Sequence, residues 1–277
     1  MQVSDGVHPD DCFVNVNGLR IHYLEWNGAA AQSLILLHGI ARVAHTFDHL
    51  APHFAGRFRV IAIDMRGHGD SGWNPDGAYL VEDYVSDIEA LIEQLGLRNM
   101  VLWGNSTGGR VAQVLGGKHP EWVAAVVSED VGPERPAAIS NRRAARMARE
   151  ESGWATTDEL FAQLKMDYPL TSDALLRAFA EHGSKRRADG RVIWKRDPAI
   201  LGGFVPTELW DSVGRIKAPI IYVLGGESTI VPRETQERLQ ATLPQARIVT
   251  MPGSGHYPSD ERPDDFLKLI DGFLGGI

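Results

Sequence analysis

Residues Met100–Lys118 read MVLWGNSTGGRVAQVLGGK, and in this stretch a turn of small residues joins a buried apolar run to a helical pattern. Its centre, Gly104-Asn105-Ser106-Thr107-Gly108, has the spacing G-x-S-x-G. Small residues two before and two after the serine let a strand and a helix cross closely, while the serine takes a backbone conformation costing about 1–3 kcal/mol. Such a turn exposes the hydroxyl at a helix N-terminus, where developing negative charge is favoured. The stretch therefore predicts that Ser106 is a nucleophile on a strand–turn–helix unit.

Apolar runs on both sides of this unit predict the rest of the sheet. They are nearly continuous in Leu, Ile and Val, as is typical of parallel strands buried on both faces. Helical spacing appears between them, for example from Tyr84 to Leu95, with Gly96 as the stop. Strand and helix in alternation predict a mostly parallel sheet flanked by helices, and Asn17-Gly18 predicts a hairpin ahead of it. The runs are Ser33–His38, Arg59–Asp64, Met100–Gly104, Val123–Ser128, Pro219–Gly225 and Ala246–Met251.

The alternation stops in the middle of the chain, where several helices and no buried strand are predicted. The clearest are Asn141–Glu151, Thr157–Leu164 and Ser172–His182. Residues 133–215 carry 14 basic and 12 acidic residues within a chain whose net charge is −8. An insertion of this kind between two strands is expected to form a lid over the carboxyl edge of the sheet. We therefore predict a core of residues 1–132 and 213–277 and a helical lid of residues 133–212.

The composition excludes several classes of protein. The chain has 277 residues, of which 43% are hydrophobic and 23% charged, as in globular proteins. Its negative charge argues against a nucleic-acid partner. No apolar run approaches the roughly 18–20 residues of a membrane helix, and the N-terminal residues lack the pattern of a signal peptide. The single cysteine, Cys12, fits a reducing compartment. We expect a cytoplasmic protein with a small-molecule substrate and no membrane partner, as a monomer or a dimer.

Two other loops supply candidates for the same site. His38-Gly39-Ile40 ends the first buried strand, and the backbone N–H groups of Ile40 and Thr107 can form an oxyanion hole. One such donor contributes on the order of 3 kcal/mol to catalysis. His256 lies in a loop after the last apolar run, which is typical of a general base that follows the nucleophile in chain order.

Four motifs in order resemble the α/β-hydrolase superfamily over essentially the whole chain. They are His38-Gly39, the stretch Asp64–Ser71, Gly104–Gly108 and Gly255-His256. The resemblance implies an α/β-hydrolase fold and a Ser-His-acid triad with no metal and no cofactor. Haloalkane dehalogenases and epoxide hydrolases of this fold carry an aspartate where this chain has Ser106, so both are disfavoured.

The third triad member departs from the usual pattern. Most relatives place an aspartate after the penultimate strand, where this chain has Ser228. An alternative acid, Asp130, follows the strand after the nucleophile, an arrangement that resembles the branch with 2-(acetamidomethylene)succinate hydrolase and N-formylmaleamate deformylase. Glu227 lies one residue before the usual place, and alternation along the strand would turn Glu129 to the other face. The prediction is therefore Asp130.

Arginines at helical spacing in the lid suggest how a substrate is recognised. Arg142, Arg146 and Arg149 share one face, and amidohydrolases of this branch act on acidic substrates. The resemblance makes Arg146 a candidate for holding a substrate carboxylate through two parallel hydrogen bonds, with a solvent-facing arginine stripe as the alternative. Asp167 would oppose a second carboxylate nearby.

The leading hypothesis is a metal-free serine hydrolase that cleaves a small amide or ester through an acyl-enzyme. In it, Ser106 attacks, His256 transfers the proton and Asp130 orients the imidazole. A cofactor-free oxygenase or lyase on the same fold, and a small-molecule receptor that retains the triad, are the alternatives. The natural substrate and the preference between amide and ester stay open.

Overall fold

The computed structural model describes residues 8–134, 150, 152–203 and 207–277, and within them an eight-stranded sheet organises the protein. Its strands are β1 Asp10–Val16, β2 Leu19–Trp26, β3 Ser33–Leu37, β4 Arg59–Ile63, β5 Met100–Asn105, β6 Val123–Glu129, β9 Ile220–Gly225 and β10 Arg247–Met251. The strand order across the sheet is β1-β2-β4-β3-β5-β6-β9-β10. The pairs β1–β2 and β2–β4 are antiparallel, and all other neighbours are parallel.

The predicted α/β-hydrolase fold is confirmed, and each of the six predicted runs is a strand whose ends shift by one residue at most. The hairpin is also confirmed, because Asn17 and Gly18 join β1 to β2 with φ angles of 49° and 77°. Such a turn needs positive φ at both central positions, which asparagine and glycine tolerate. Because the parallel strands share one direction, their carboxyl ends meet at one edge of the sheet.

Helices cover both faces of the sheet and create two hydrophobic clusters. Leu102 of β5 packs in one cluster and Trp103 in the other, as alternation along a strand requires. The helices that cover the sheet are α1 Ala51–Phe54, α2 Val81–Gln94, α3 Thr107–Lys118, α8 Arg233–Thr242, α9 Pro258–Glu261 and α10 Pro263–Leu274. The cluster with Leu102 includes residues of α2, α3 and α8, and the cluster with Trp103 includes residues of α1 and α10. No helix of the described residues is long and apolar enough to cross a membrane.

The segment predicted as a lid has a small hydrophobic cluster of its own. Two predicted helices are confirmed as α4 Thr157–Asp167 and α5 Asp173–His182, and the remaining elements are β7 Ser184–Arg186, β8 Val192–Trp194, α6 Ala199–Gly203 and α7 Trp210–Val213. Leu160, Leu176 and Phe179 pack together with Val43 of the core. The helix predicted at 141–151 lies outside the described residues apart from Glu150, which is helical. The antiparallel pair β7–β8 was not predicted.

The lid segment is anchored to the core by backbone hydrogen bonds. Gly69 N donates to Lys195 O at 2.7 Å, and Asp197 N donates to Gly67 O at 2.8 Å. At its end, Leu209 and Val213 are buried in the first sheet cluster rather than in the lid's own. The division of the chain at residues 132 and 213 stays a prediction.

Candidate active site

Ser106 lies at a strained turn between β5 and α3. Its φ and ψ are 51° and −116°, a conformation that residues with a side chain rarely adopt. A methyl group on Gly104 would lie 2.1 Å from the carbonyl carbon of Gly108, and one on Gly108 would lie 2.0 Å from Leu37 O. The start of α3 therefore lies too close to β5 and to the end of β3 for any larger residue at these two positions. This is the physical reason for the G-x-S-x-G spacing.

The loop after β3, His38–Arg42, passes directly over this turn. A methyl group on Gly39 would lie 3.2 Å from Ser106 Cβ. Ile40 is the next residue, and Thr107 is the first residue of α3, whose initial N–H groups have no acceptor within the helix. Both predicted oxyanion donors thus belong to segments in contact with the serine turn.

Asp130 and His256 are joined by a direct hydrogen bond. His256 Nδ1 lies 2.7 Å from Asp130 Oδ2. Asp130 follows β6 with a φ of 44° and is only 1% exposed, and its N–H donates to Val223 O at 2.8 Å. A strained residue with a buried carboxylate persists only where its surroundings hold it in place. The structure therefore brings the predicted acid and base together.

The turn after β9 holds the other side of the Asp130 carboxylate. Gly225 N donates to Oδ1 at 3.0 Å, and Ser228 Oγ donates to Oδ2 at 2.6 Å. A methyl group on Gly225 would lie 1.8 Å from Gly255 O, so this turn touches the histidine loop, residues Gly253–Tyr257. Sequence reasoning identified Ser228 as the place where the usual acid is missing, but it missed this contact with Asp130. The only signal available was a hydroxyl residue at that position.

Asn105 connects the serine turn to the His256–Asp130 pair. Its Nδ2 donates to His256 O at 3.1 Å and to Glu129 O at 3.4 Å. The Ser106 N–H also donates to Glu129 O, at 3.0 Å. The three predicted triad residues thus meet at the carboxyl edge of the sheet. The direct bond is between His256 and Asp130, and Ser106 is linked to them through Asn105 and Glu129.

The two rejected carboxylates lie elsewhere, as the spacing predicted. Glu129 is fully buried on the opposite face, where its carboxylate accepts hydrogen bonds from Ser259 N at 2.9 Å and Trp103 Nε1 at 3.1 Å. Burial raises the pKa of Glu129 to about 7. Glu227 is exposed, and its N–H donates to Ser254 O at 2.8 Å.

Two buried histidines brace the loop after β3. Met65 N donates to His38 Nε2 at 3.1 Å, and Ala41 N donates to His68 Nε2 at 3.3 Å. Burial lowers the pKa of His38 and holds that of His68 well below its ordinary value. Both rings are therefore neutral acceptors at physiological pH. They shape the backbone that carries Ile40.

Arg42 ties the loop after β3 to the lid and to the histidine loop, a contact that sequence reasoning did not find. The side chain is 3% exposed, and its Nη1 lies 3.1 Å from Asp260 Oδ2. Its guanidinium carbon lies 4.0 Å from the ring centre of Tyr257, 4.5 Å from that of Phe179 and 5.0 Å from that of Tyr168. Burial would lower the pKa of Arg42, but the charge of Asp260 keeps it above its usual range. Asp260 and the three rings therefore stabilise the cation.

The predicted substrate-binding residue, Arg146, lies outside the described residues, as do Arg142 and Arg149. Another arginine of the lid, Arg196, is buried and paired with Glu150. Both line a cavity of about 400 Å³ that also contacts Trp73 and Trp194.

Two groups of possible metal ligands occur among the described residues, and neither contains a residue of the predicted triad. They are His22 with Asp64 and Asp70, and His45 with Asp48 and His182. In the first group His22 Nδ1 lies 2.7 Å from Asp64 Oδ2, and in the second the rings of His45 and His182 stack at 3.9 Å.

Fold and site together define an α/β hydrolase. The family described as alpha/beta hydrolase fold matches residues 32–263, and the chain belongs to it. It is 27% identical over 244 residues to 2-(acetamidomethylene)succinate hydrolase of Mesorhizobium japonicum, covering 87% of each chain. It is also 28% identical over 266 residues to an esterase of Mycobacterium tuberculosis, covering 92% of this chain and 86% of the esterase.

The crystal structure of E-2-(acetamidomethylene)succinate hydrolase has the same fold. It matches with a TM-score of 0.87 at 26% identity, and the match covers 97% of this chain and 100% of that one. The resemblance stated from the sequence motifs is thereby confirmed. These relatives place the protein among the hydrolases of the family.

Proposed function

We propose that this protein is a serine hydrolase that cleaves a small amide or ester through an acyl-enzyme. One observation carries the proposal: His256 Nδ1 lies 2.7 Å from the buried Asp130 carboxylate, at the sheet edge where Ser106 occupies a strained turn. A neutral imidazole whose Nδ1–H donates to a carboxylate has its lone pair on Nε2, where it can accept a proton. This is the tautomer that a general base needs.

In the proposed mechanism Ser106 Oγ attacks the substrate carbonyl carbon while His256 Nε2 takes the hydroxyl proton. The N–H groups of Ile40 and Thr107 donate hydrogen bonds to the resulting oxyanion. The tetrahedral intermediate collapses as His256 returns the proton to the leaving amine or alcohol. Water then attacks the acyl-enzyme with the same base, and Ser106 is released with the acid product. Asp130 stays ionised and stabilises the imidazolium.

The proposed substrate is a small molecule that carries a carboxylate. The relative named 2-(acetamidomethylene)succinate hydrolase supports an acidic amide, and Arg146 supplies a candidate cation in the lid. Asp167 is exposed on α4 and accepts a hydrogen bond from Gln163 at 3.1 Å. Its negative charge would oppose a second carboxylate at this end of α4.

Covalent labelling tests the nucleophile. We expect a fluorophosphonate to add one phosphonyl group to Ser106, identified by peptide mass, in the native protein and in a Thr107→Ala control. The control loses a neighbouring hydroxyl and keeps the backbone N–H. Labelling of Ser106→Ala would contradict the proposed nucleophile. If the native protein is not labelled and either consumes oxygen or binds a ligand tightly without turnover, the proposed hydrolase function is contradicted.

A matched pair of esters tests the carboxylate. p-Nitrophenyl hemiadipate and p-nitrophenyl heptanoate have acyl chains of similar length and differ in the terminal charge. A bidentate contact with an arginine contributes about 1.5–3 kcal/mol, so we expect kcat/KM to be roughly 10- to 100-fold higher for the charged ester. Equal values for the two esters would contradict recognition of a carboxylate.

A further inference from the structure

The turn after β9 presents a hydroxyl to the buried acid, and we propose that Ser228 is a positioning residue that holds the Asp130 carboxylate in line with His256. The inference rests on the proposed function, because it assigns Ser228 a role in orienting the acid of that mechanism. Ser228 would act through Asp130 and would not touch the substrate.

Hydrogen-bond geometry decides the direction in which the Ser228 hydroxyl donates. Its Oγ lies 2.6 Å from Asp130 Oδ2, and it accepts a hydrogen bond from Ile230 N at 3.2 Å. An ionised carboxylate can only accept, so the hydroxyl proton lies on the line to Asp130. The distance is that of a charge-assisted O–H···O⁻ bond, which is roughly twice as strong as a neutral one.

Ser228 and His256 share the same carboxylate oxygen. Asp130 Oδ2 accepts from both Ser228 Oγ and His256 Nδ1, while Oδ1 accepts from Gly225 N. Without Ser228, Gly225 N would hold Oδ1, and the imidazole would be the only one of these groups that holds Oδ2. The Ser228 hydroxyl therefore fixes Oδ2 independently of the histidine. Because Asp130 is 1% exposed, bulk water cannot replace the lost donor without entering the site.

The backbone of the turn holds Ser228 in its place. Ser228 N donates to Gly225 O at 3.2 Å, which closes the turn, and Gly225 touches Gly255 of the histidine loop. The neighbouring Thr229 is exposed. It offers a matched control, a hydroxyl one residue away in the same turn.

Substitution of Ser228 tests the proposal in the full-length enzyme, with the p-nitrophenyl ester that it hydrolyses fastest. We expect Ser228→Ala to lower kcat about tenfold at unchanged KM, while Ser228→Thr, which keeps the hydroxyl, and Thr229→Ala stay within twofold. The downfield proton resonance of His256 Nδ1–H provides a second readout, which should shift or broaden in Ser228→Ala only. Wild-type kcat and an unmoved resonance in Ser228→Ala would overturn the proposal.

Moving the acid provides an independent test. We expect the kcat of Asp130→Asn to be at least 100-fold below that of wild type. We expect the kcat of Asp130→Asn/Ser228→Asp to be at least tenfold above that of Asp130→Asn. The recovery follows because Ser228 Oγ contacts Asp130 Oδ2, the oxygen that binds His256. A carboxylate at position 228 would therefore lie close to the imidazole. A folded double variant with no recovery would overturn the placement of residue 228 beside the imidazole.

The two tests separate this inference from the proposed function. If Asp130→Asn retains wild-type activity, the triad assignment fails whatever Ser228 does. If Asp130→Asn is inactive and Ser228→Ala behaves as wild type, only the positioning role of Ser228 fails.

Discussion

Replacing Glu129 with glutamine should change how the stability of the protein depends on pH. Glu129 is fully buried at the end of β6, where Trp103 of β5 and Ser259 of α9 donate hydrogen bonds to its carboxylate. Burial raises its pKa in the folded protein from an ordinary 4.5 to about 7. Between these two values the folded state binds a proton that the unfolded state releases. Wild-type stability therefore falls as the pH rises through this window.

The size of the effect follows from the pKa shift. Each pKa unit corresponds to about 1.4 kcal/mol. The free energy of unfolding of the wild type should therefore fall by about 3 kcal/mol between pH 4.5 and pH 8 because of this carboxyl. Glutamine does not titrate, so the Glu129→Gln variant lacks this loss. Its amide has one acceptor where the carboxyl has two, so one N–H, that of Trp103 or Ser259, loses its partner at every pH. This loss lowers the free energy of unfolding of the variant by about 1–3 kcal/mol at every pH. It therefore does not change how that free energy depends on pH.

Urea unfolding followed by far-UV circular dichroism from pH 4.5 to pH 8 would measure the effect. The informative quantity is the unfolding free energy of wild type minus that of Glu129→Gln, because all other titrating groups cancel in it. We expect this difference to fall by about 3 kcal/mol across the range. A flat difference would refute the argument that burial controls this carboxyl.

Three other predictions concern activity. Ser106→Ala should lower kcat by about 10⁴–10⁶-fold with an unchanged circular dichroism spectrum, and a variant with more than a tenth of the wild-type rate would exclude covalent catalysis by this serine. Asp130→Asn should lower kcat at least ~10²-fold and Glu227→Gln only several-fold in steady-state assays, because only the first carboxylate contacts His256, and the reverse order would move the acid to Glu227. Arg146→Ala should raise KM for carboxylate-bearing esters by roughly 10- to 100-fold and for neutral ones little, whereas equal effects would make Arg146 structural.

The sheet and the serine turn were predictable because their causes are local in the chain. Continuous Leu, Ile and Val runs describe strands buried on both faces, and the glycines around Ser106 record how closely β5 and α3 cross. The hairpin β7–β8 was missed for the opposite reason. Its strands have three residues each, and Ser184–Arg186 contains no apolar run that would mark it.

The contacts that complete the candidate site depend on register between distant segments. Spacing along the chain could rank Asp130 above Glu129 and Glu227, since alternation and loop length are local properties. It could not show that Ser228 donates to Asp130, because that bond depends on how the turns after β6 and β9 lie side by side. The contacts of Arg42 were even less accessible to sequence reasoning, because its partners Tyr168 and Asp260 are separated from it by more than a hundred residues.

The buried cation of Arg42 couples the segment that carries Tyr168 and Phe179 to the histidine loop. An outward movement of that segment, to an open state in which both rings leave the guanidinium, would forfeit two cation–π contacts, each contributing about 0.5–2 kcal/mol. Their combined loss would make the open state roughly 5- to 1000-fold rarer than it would be with a neutral residue at position 42. Tyr257, beside His256, would stay on the same cation together with Asp260. Such a movement would therefore leave the loop that carries His256 attached to the core.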